Sequence, residues 1–529
     1  MSNRPLDALG LPVWAAAFAM IAEEMGAVLV RGALSPNIRE RRDASCALFD
    51  AQGRMIAQAA HIPVHLGAMP EAVRAVRACA PQPGDVFLLN SPWQGGSHLP
   101  DLTMVEAIDD LAGYVVVRAH HADVGGMSPG SMPQGATELV QEGLIIPPVR
   151  IERGGQQVEE MLALILANVR TPDERRGDLA AQRAACAAGA AGWRALLARE
   201  GRERVEAAGE QLLDYAERRA VARLRAIEVD SGGSAGGPSV GQTGAGGSGV
   251  VGKATDALEG DGVSEAPVPL RVNLAVRDGA LHLDFAGTSP MVRGNVNCPI
   301  QVTRAAALFV LRSLLDDDVP TNDGIARPIR ISTPDDCCLA ARAPAAVAAG
   351  NVEMSQRITD LLFAAFADAG VAVPAQGQGT MNNVTFGSPR GWTFYETLGG
   401  GQGASARGDG PDAVHVGMSN TRNTPIEALE RAYPIVIERY EVRRGSGGAG
   451  KHRGGDGVIR RYRVLERCTV TLLTERRSTA PRGAAGGGDG ARGENLLNGE
   501  PLPAKCRREL EPGDVLEIRT PGGGGWGAV

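Results

Sequence analysis

Five of the chain's eight histidines fall between His61 and His121. They stand as His61 and His65 in "HIPVH", His98 in "SPWQGGSHLPDLT", and His120 and His121 in "RAHHADVGG". Carboxylates accompany them: Asp43 upstream, Asp101 within the same short loop as His98, and Asp123 just after His121. Imidazole nitrogen together with carboxylate oxygen suits Zn, Mn, Fe or Co, whereas an all-oxygen set suits Mg or Ca. Pro100 disfavours a helical conformation at Leu99, so His98 and Asp101 do not share a helix face. Gly95-Gly96 and Pro100 instead predict a tight, stiff loop that would fix both side chains at little entropic expense. A His-x-x-Asp spacing is not a metal signature in the way that His-Glu-x-x-His is. The same two residues also make an ordinary hydrogen-bonded loop pair, and spacing alone leaves both readings open.

The elements that must position these residues follow from hydrophobic period. Apolar residues recurring at three and four over 12–34 predict a helix. "CALFDAQGRMIAQ" predicts a β-hairpin about an Asp-Ala-Gln-Gly turn. "GDVFLLNSP" and "GYVVVRAHHADVGG" predict strands ending in polar, glycine-bearing loops, which place functional side chains on a rigid frame. From 172 to 226 the pattern is helical, with Thr171 as N-cap and Pro172 in the first turn. Residues 230–252 are glycine/serine-rich and aperiodic, as a flexible linker is. Beyond them, "LRVNLAVRDGALHLDFAGTS" predicts a hairpin, while "TRAAALFVLRSLL" and "MSQRITDLLFAAFADAG" predict amphipathic helices, the second stopped at Gly370. The C-terminal third is β-rich with glycine-filled loops. These patterns predict a mixed α+β fold. Its expected parts are an N-terminal α/β metal-site domain (1–170), a helical segment (171–227), a Gly/Ser-rich linker or loop (228–265), a central α/β domain (266–430) and a β-rich region (431–529).

Bulk properties exclude several function classes. A chain of 529 residues is too long for one ordinary core. A net charge of −7, without a basic run carrying interleaved aromatics, argues against nucleic-acid binding. The apolar start carries Glu23 and Glu24, which fits an amphipathic surface helix better than a signal peptide. No run of 18 apolar residues predicts a membrane span. Eight scattered cysteines with no CxxC pair fit reduced thiols in a cytoplasmic enzyme.

A set of longer motifs carries a resemblance. "SPNIRERRDASCALFDAQGRMIAQAAHIPVHLGAMP", "GGSHLPDLT", "RAHHADVGGMSPGSMP", "NVRTPDERRGDL", "DFAGTSPMVRGNVNCP", "GNVEMSQRITD", "GQGTMNN", "YETLGGGQGA", "GSGGAGKHRGGDG" and the terminal "TPGGGGWG" occur in that order. Together they resemble the hydantoinase B/oxoprolinase family over nearly everything except 228–265. The resemblance implies the amide-hydrolysing subunit of an ATP-dependent hydantoinase, lactamase or 5-oxoprolinase. It also implies a divalent metal held by Asp43, His98, Asp101 and one of His120 and His121. His120 is favoured, because neighbours on a strand face opposite ways; His121 and Asp123 would then stand behind the ligands or toward substrate.

The same resemblance implies that ATP phosphorylates the carbonyl oxygen of a cyclic amide, giving an imidate phosphate that water attacks. No Gly-x-x-x-x-Gly-Lys-Ser/Thr is present, and "GGGQGAS" lacks the lysine. ATP and its Mg therefore belong on a separate hydantoinase A-type subunit in a hetero-oligomer. A metal here would lower the pKa of a water, and Asp123 or Glu353 would accept its proton. His65 and Asn351 are candidate substrate contacts, although Asn351 equally suits a helix first turn. Asn382 and Asn383 suit hydrogen bonding to a cyclic imide, although paired asparagines more often close turns. Arg39, Arg41 and Arg42 could attract a phosphorylated intermediate, although such a charge run is usually a solvated face. Met354 stands where the family usually has Thr. The alternative reading is the large subunit of an acetone- or acetophenone-type carboxylase, although acetone-type large subunits are longer than this chain. A third is a non-catalytic scaffold.

Overall fold

The computed structural model describes residues 10–59, 62–108, 111–232, 249–388 and 391–529. His61 and the stretch 233–248 of the expected linker lie outside them.

The histidine-bearing segment builds a seven-stranded sheet. Its strands are β1 (Ala44–Asp50), β2 (Met55–Ala59), β3 (Val86–Leu89), β4 (Asp101–Ala107), β5 (Gly113–His120), β6 (Val149–Arg153) and β7 (Gln156–Gln157). Their order is β2-β1-β5-β4-β3-β6-β7, with every pairing antiparallel. Every residue of β1, β3, β4 and β5 is buried, because helices cover both faces. That is why "GYVVV" reads as a continuous apolar run rather than an alternation.

The helices of this half are α1 (Gly10–Gly32), α2 (Pro36–Arg39), α3 (Met69–Ala78), α4 (Glu159–Leu166), α5 (Pro172–Glu200) and α6 (Arg202–Gly232). One face of the sheet packs Leu48, Val115 and Val117 against Phe18, Met25 and Trp193 of α1 and α5. The other packs Phe49, Val105 and Val116 against Val73 and Val76 of α3. By length and composition alone α1 passes as a membrane span, with mean hydropathy 1.7 over an 18-residue window. Its Trp14, Phe18, Ile21, Met25 and Leu29 are buried, however, and the Phe18 and Trp193 rings stand 5.6 Å apart. It is a core helix of this sheet. Thr171 occupies the N-cap of α5, but its side chain makes no capping bond.

A second sheet, ordered β11-β10-β9-β8, comprises β8 (Val250–Leu258), β9 (Val268–Arg277), β10 (Ala280–Asp284) and β11 (Ile329–Ser332). The stretch 228–265, read as linker or loop, contains the end of α6 and all of β8. Its alternation was hidden behind the preceding glycines and serines. Packed on this sheet are α7 (Ile300–Ser313), α8 (Asp323–Ala326) and α9 (Ser355–Asp368).

The last third holds β12 (Asn383–Gly387), β13 (Thr393–Glu396), α10 (Ile426–Ala432), β14 (Ile435–Arg443), β15 (Gly457–Val464), β16 (Cys468–Leu473), β17 (Glu494–Leu497), β18 (Glu500–Pro501), β19 (Lys505–Leu510) and β20 (Val515–Arg519). They form sheets ordered β13-β12-β16-β19 and β14-β15-β20-β17-β18. Helices with four sheets make the fold mixed α+β. All eight cysteines are free.

Candidate metal centre

Asp101 opens β4 and His120 closes β5, and the antiparallel register sets them directly opposite each other. His98 precedes Asp101 in a turn closed by the Asp101 N–H on the His98 carbonyl (3.2 Å). The loop is anchored by Asn90 Nδ2 on the Leu99 carbonyl (2.8 Å) and by the His121 N–H on that of Pro100 (2.9 Å). Gly96 is required by close approach: a Cβ there would stand 1.9 Å from the Asn90 carbonyl oxygen. Stiffness thus comes from backbone packing as well as from the proline.

The three side chains converge. His98 Nε2 lies 3.0 Å and His120 Nδ1 3.3 Å from Asp101 Oδ1, and one donor atom from each residue falls within 4.8 Å of the others. All three residues are buried. His98 Nε2 and Asp101 Oδ1 are close without being hydrogen-bonded, and both lack a partner, as does His120 Nε2. Orphaned buried polar atoms are destabilising, and a cluster of nitrogen and oxygen donors is what a transition-metal cation satisfies. The residues present therefore fit a divalent ion. Supporting groups are in place as well: Ser97 Oγ donates to Asp101 Oδ2 (2.6 Å), and His98 Nδ1 stands 3.4 Å from the Ala348 carbonyl. Burial opposes ionisation of Asp101, but His98, His65 and His120 outweigh it and hold its carboxyl well below the usual range. Burial pushes the His120 imidazole down although the neighbouring Asp101 and Asp43 carboxylates favour its charged form, and the neutral ring is the one that can ligate.

The cavity at this centre is lined by Asp43, His65, Asn351, Tyr395, Thr397 and Thr421, among others. Its volume of about 20 Å³ accommodates an ion or a water, not a cyclic amide. His65 lies between Ser45 Oγ (2.9 Å from Nδ1) and Asp101 Oδ2 (3.5 Å from Nε2). Asn351 Nδ2 also reaches that oxygen (3.5 Å) and leaves its own Oδ1 without a partner. Asn351 and Glu353 sit on a π-helical turn, Gly350–Met354, that runs into α9, a kind of turn frequent at functional sites. Asp43 lines the cavity with its carboxylate 3.6 Å from Arg41, outside the tight three-residue group.

Other candidates lie elsewhere. His121 faces away and pairs its Nε2 with Gln182 Oε1 of α5 (2.8 Å); burial and Arg175 push it down to about 4. Asp123 is committed to the backbone N–H groups of Gly125, Gly130 and Arg170 and to the Arg170 guanidinium, so it closes a loop rather than facing the cavity. Asn382 has φ 49° and bonds Gln378, Leu398 and Arg477, the turn role of the two open readings. Glu353 stands one layer behind the wall. Its Oε1 accepts from Asn383 Nδ2 (2.8 Å), Asn383 Oδ1 accepts from the Tyr395 hydroxyl (2.8 Å), and the Tyr395 ring stacks on His120 (4.6 Å, 16°). Burial and Glu475 raise the Glu353 carboxyl to about 7.

Sequence reasoning missed Tyr395 and misread Arg41. Arg41 is fully buried, with its guanidinium on Asn37, Thr397 and the Tyr395 carbonyl and 4.9 Å over the Tyr395 ring. It also missed Glu142, which accepts from the Val347 and Ala348 N–H groups behind His98; burial lifts its carboxyl to about 8. The tyrosine lay inside a recognised motif, "YETLGGGQGA", but nothing local linked it to His120.

The fold and site define a multi-sheet α+β protein built about a buried His–Asp–His centre. The chain belongs to the hydantoinase B/oxoprolinase family, whose profile it matches over residues 7–529. An uncharacterised protein of Methanocaldococcus jannaschii is 39% identical, with 99% of this chain and 91% of that protein covered. A Pseudomonas sp. protein named as the B-type component of a D-/L-hydantoinase is 30% identical, with 99% and 90% covered. The 5-oxoprolinase 1 of Arabidopsis thaliana is 36% identical over 100% of this chain but 42% of its own length, so the chain spans about two fifths of that relative. Among solved structures, the ATP-dependent caprolactamase from Pseudomonas jessenii superposes with a TM-score of 0.88 at 27% identity, covering 99% of this chain and 92% of that one. Nucleotide-free acetone carboxylase shares the fold, with a TM-score of 0.82 at 18% identity, covering 98% and 76%.

Proposed function

We propose that the chain is the ring-opening subunit of an ATP-dependent cyclic amide hydrolase, acting on a hydantoin, 5-oxoproline or a lactam. In this reading His98, Asp101 and His120 hold a divalent ion (Zn, Mn, Fe or Co), with Asp43 beside them. ATP and Mg bind a separate hydantoinase A-type subunit. The observation that carries the reading is the convergence of buried donor atoms from His98, Asp101 and His120, with His98 Nε2 and Asp101 Oδ1 left without hydrogen-bond partners. When bound, such an ion supplies Lewis acidity.

The chain's own residues do the rest. Asn351 and His65 present amide and imidazole groups at the cavity, where they orient a substrate. Glu353 positions Tyr395, through Asn383, against His120. Asn351 Oδ1, without a partner, accepts a ring N–H. Admission of a ring requires the cavity walls to move, because the present volume does not hold one. Family membership, the caprolactamase likeness and a relative named as one component of a hydantoinase support this reading. The second reading, an acetone-type carboxylase subunit, rests on the fold shared with acetone carboxylase.

The test is metal analysis of the purified full chain, followed by assays of the chain co-expressed with its ATP-binding partner. The expected result is about one divalent ion per chain, lost in Asp101→Asn, and ATP consumption with a cyclic amide. ATP consumption that requires a ketone and bicarbonate selects the carboxylase. A chain that never binds a divalent ion, with Asp101→Asn fully active, overturns the metal centre.

A further inference from the structure

A second cavity, of about 390 Å³, opens beside the metal centre between α3, α7, α8 and β11. That volume lies in the range of small-molecule sites. Its apolar wall is Leu66, Ile300, Leu308, Ile329 and Ile331. Its polar lining is Glu71, Arg74, Arg304, Asp323 and Arg330. Glu71 is flanked by Arg74 and Arg304. Asp323 Oδ2 accepts the Met55 N–H (2.8 Å). Arg330 donates to the carbonyls of Arg327 and Ile329 and to no carboxylate among the described residues. Three guanidiniums against two carboxylates leave the pocket one positive charge in surplus, beside an apolar wall. The turn at residues 62–67 serves both cavities: Ile62, Val64 and His65 line the metal centre, and Leu66 and Gly67 line this one.

We propose that this pocket is a second binding site, for a small amphipathic organic anion. Its apolar body lies against Ile300, Leu308 and Ile331, and its acidic group pairs with Arg330 and Arg304. Charge-assisted bonds from guanidinium fix the acid, and apolar contact supplies the remaining affinity. The site is separate from the ring-opening centre and stands whether or not that function does.

The test uses the full chain and anilinonaphthalene sulfonate, a fluorescent probe with an aromatic body and one acidic group. The expected result is one saturable, salt-sensitive site per chain. Arg304→Gln with Arg330→Gln weakens it by about tenfold. Ala326→Phe, which fills the cavity without touching its charge, removes it. Thermal unfolding confirms that both variants are folded. Competition by decanoate identifies a carboxylate headgroup and competition by ADP a phosphate one. Probe binding unchanged in both variants overturns the proposal, as does failure of both anions to compete.

Discussion

At the residue scale the site turns on which of two adjacent histidines faces the carboxylate. His120 is in register with Asp101, while His121 points to Gln182 on α5. His120→Asn therefore abolishes metal binding, whereas His121→Asn lowers the melting temperature and leaves metal stoichiometry intact. Metal analysis on both variants decides this, and equal loss in each would assign the two rings to one ion. Glu353 makes a second prediction. Its carboxyl, ordinarily near 4.5, titrates at about 7 when folded, so the unfolded chain gives up its proton first as pH rises. Stability then falls between about pH 4.5 and 7 and is level above that window. Glu353→Gln keeps an oxygen acceptor for Met381 and Asn383 but does not titrate. The variant gains on wild type as pH rises, by on the order of 3 kcal/mol in full. Denaturant unfolding at pH 5 and pH 8 measures this; an equal gap at both would show that Glu353 ionises normally.

At the element scale the sequence was most informative where structure is local. The β1–β2 hairpin, the ends of β3 and β5, and the α5–α6 pair were legible because period and turn residues lie within a few positions of each other. So were His98 and Asp101, which share one loop. Tyr395 was not, because only the folding of β13 beside β5 brings it onto His120. Arg41 was misread because a run of arginines ordinarily faces water, and its burial depends on Thr397 and Tyr395, far away in sequence. The two ends of the π-turn and α9 unit separate site from scaffold. A Cβ at Gly350 would stand 1.8 Å from the Asn297 carbonyl oxygen, while one at Gly370 (φ 81°) meets nothing within 4 Å. Gly370→Ala should cost about 1 kcal/mol, from backbone conformation alone, with metal affinity unchanged. Gly350→Ala should cost about 1–3 kcal/mol and also weaken metal binding, because the turn that carries Asn351 must shift. Unfolding curves and metal titration on the pair check this. Undisturbed metal binding in Gly350→Ala would detach the π-turn from the centre.

At the scale of the whole molecule the centre is a junction. Asp101 and His120 come from the first sheet and His98 from the loop that leads into it, Tyr395 from β13 in the third, and Asn351 from the turn leading into α9, which packs on the second. An ion bound there would take its donors from the first region, with Asn351 and Tyr395 of the other two packed against them. Binding to the native state alone adds stability of RT ln(1 + [L]/Kd), about 2.7 kcal/mol at a hundredfold excess over Kd. Removing the ion should therefore destabilise all three regions together. Trp193 reports on the first sheet and Trp392 on the segment just before β13. With each as the only tryptophan retained, chelation should lower both unfolding midpoints by a similar amount, and zinc or manganese should restore them together. If Trp193 responds and Trp392 does not, the ion belongs to the first sheet alone, and the contact between Tyr395 and His120 does not couple the sheets.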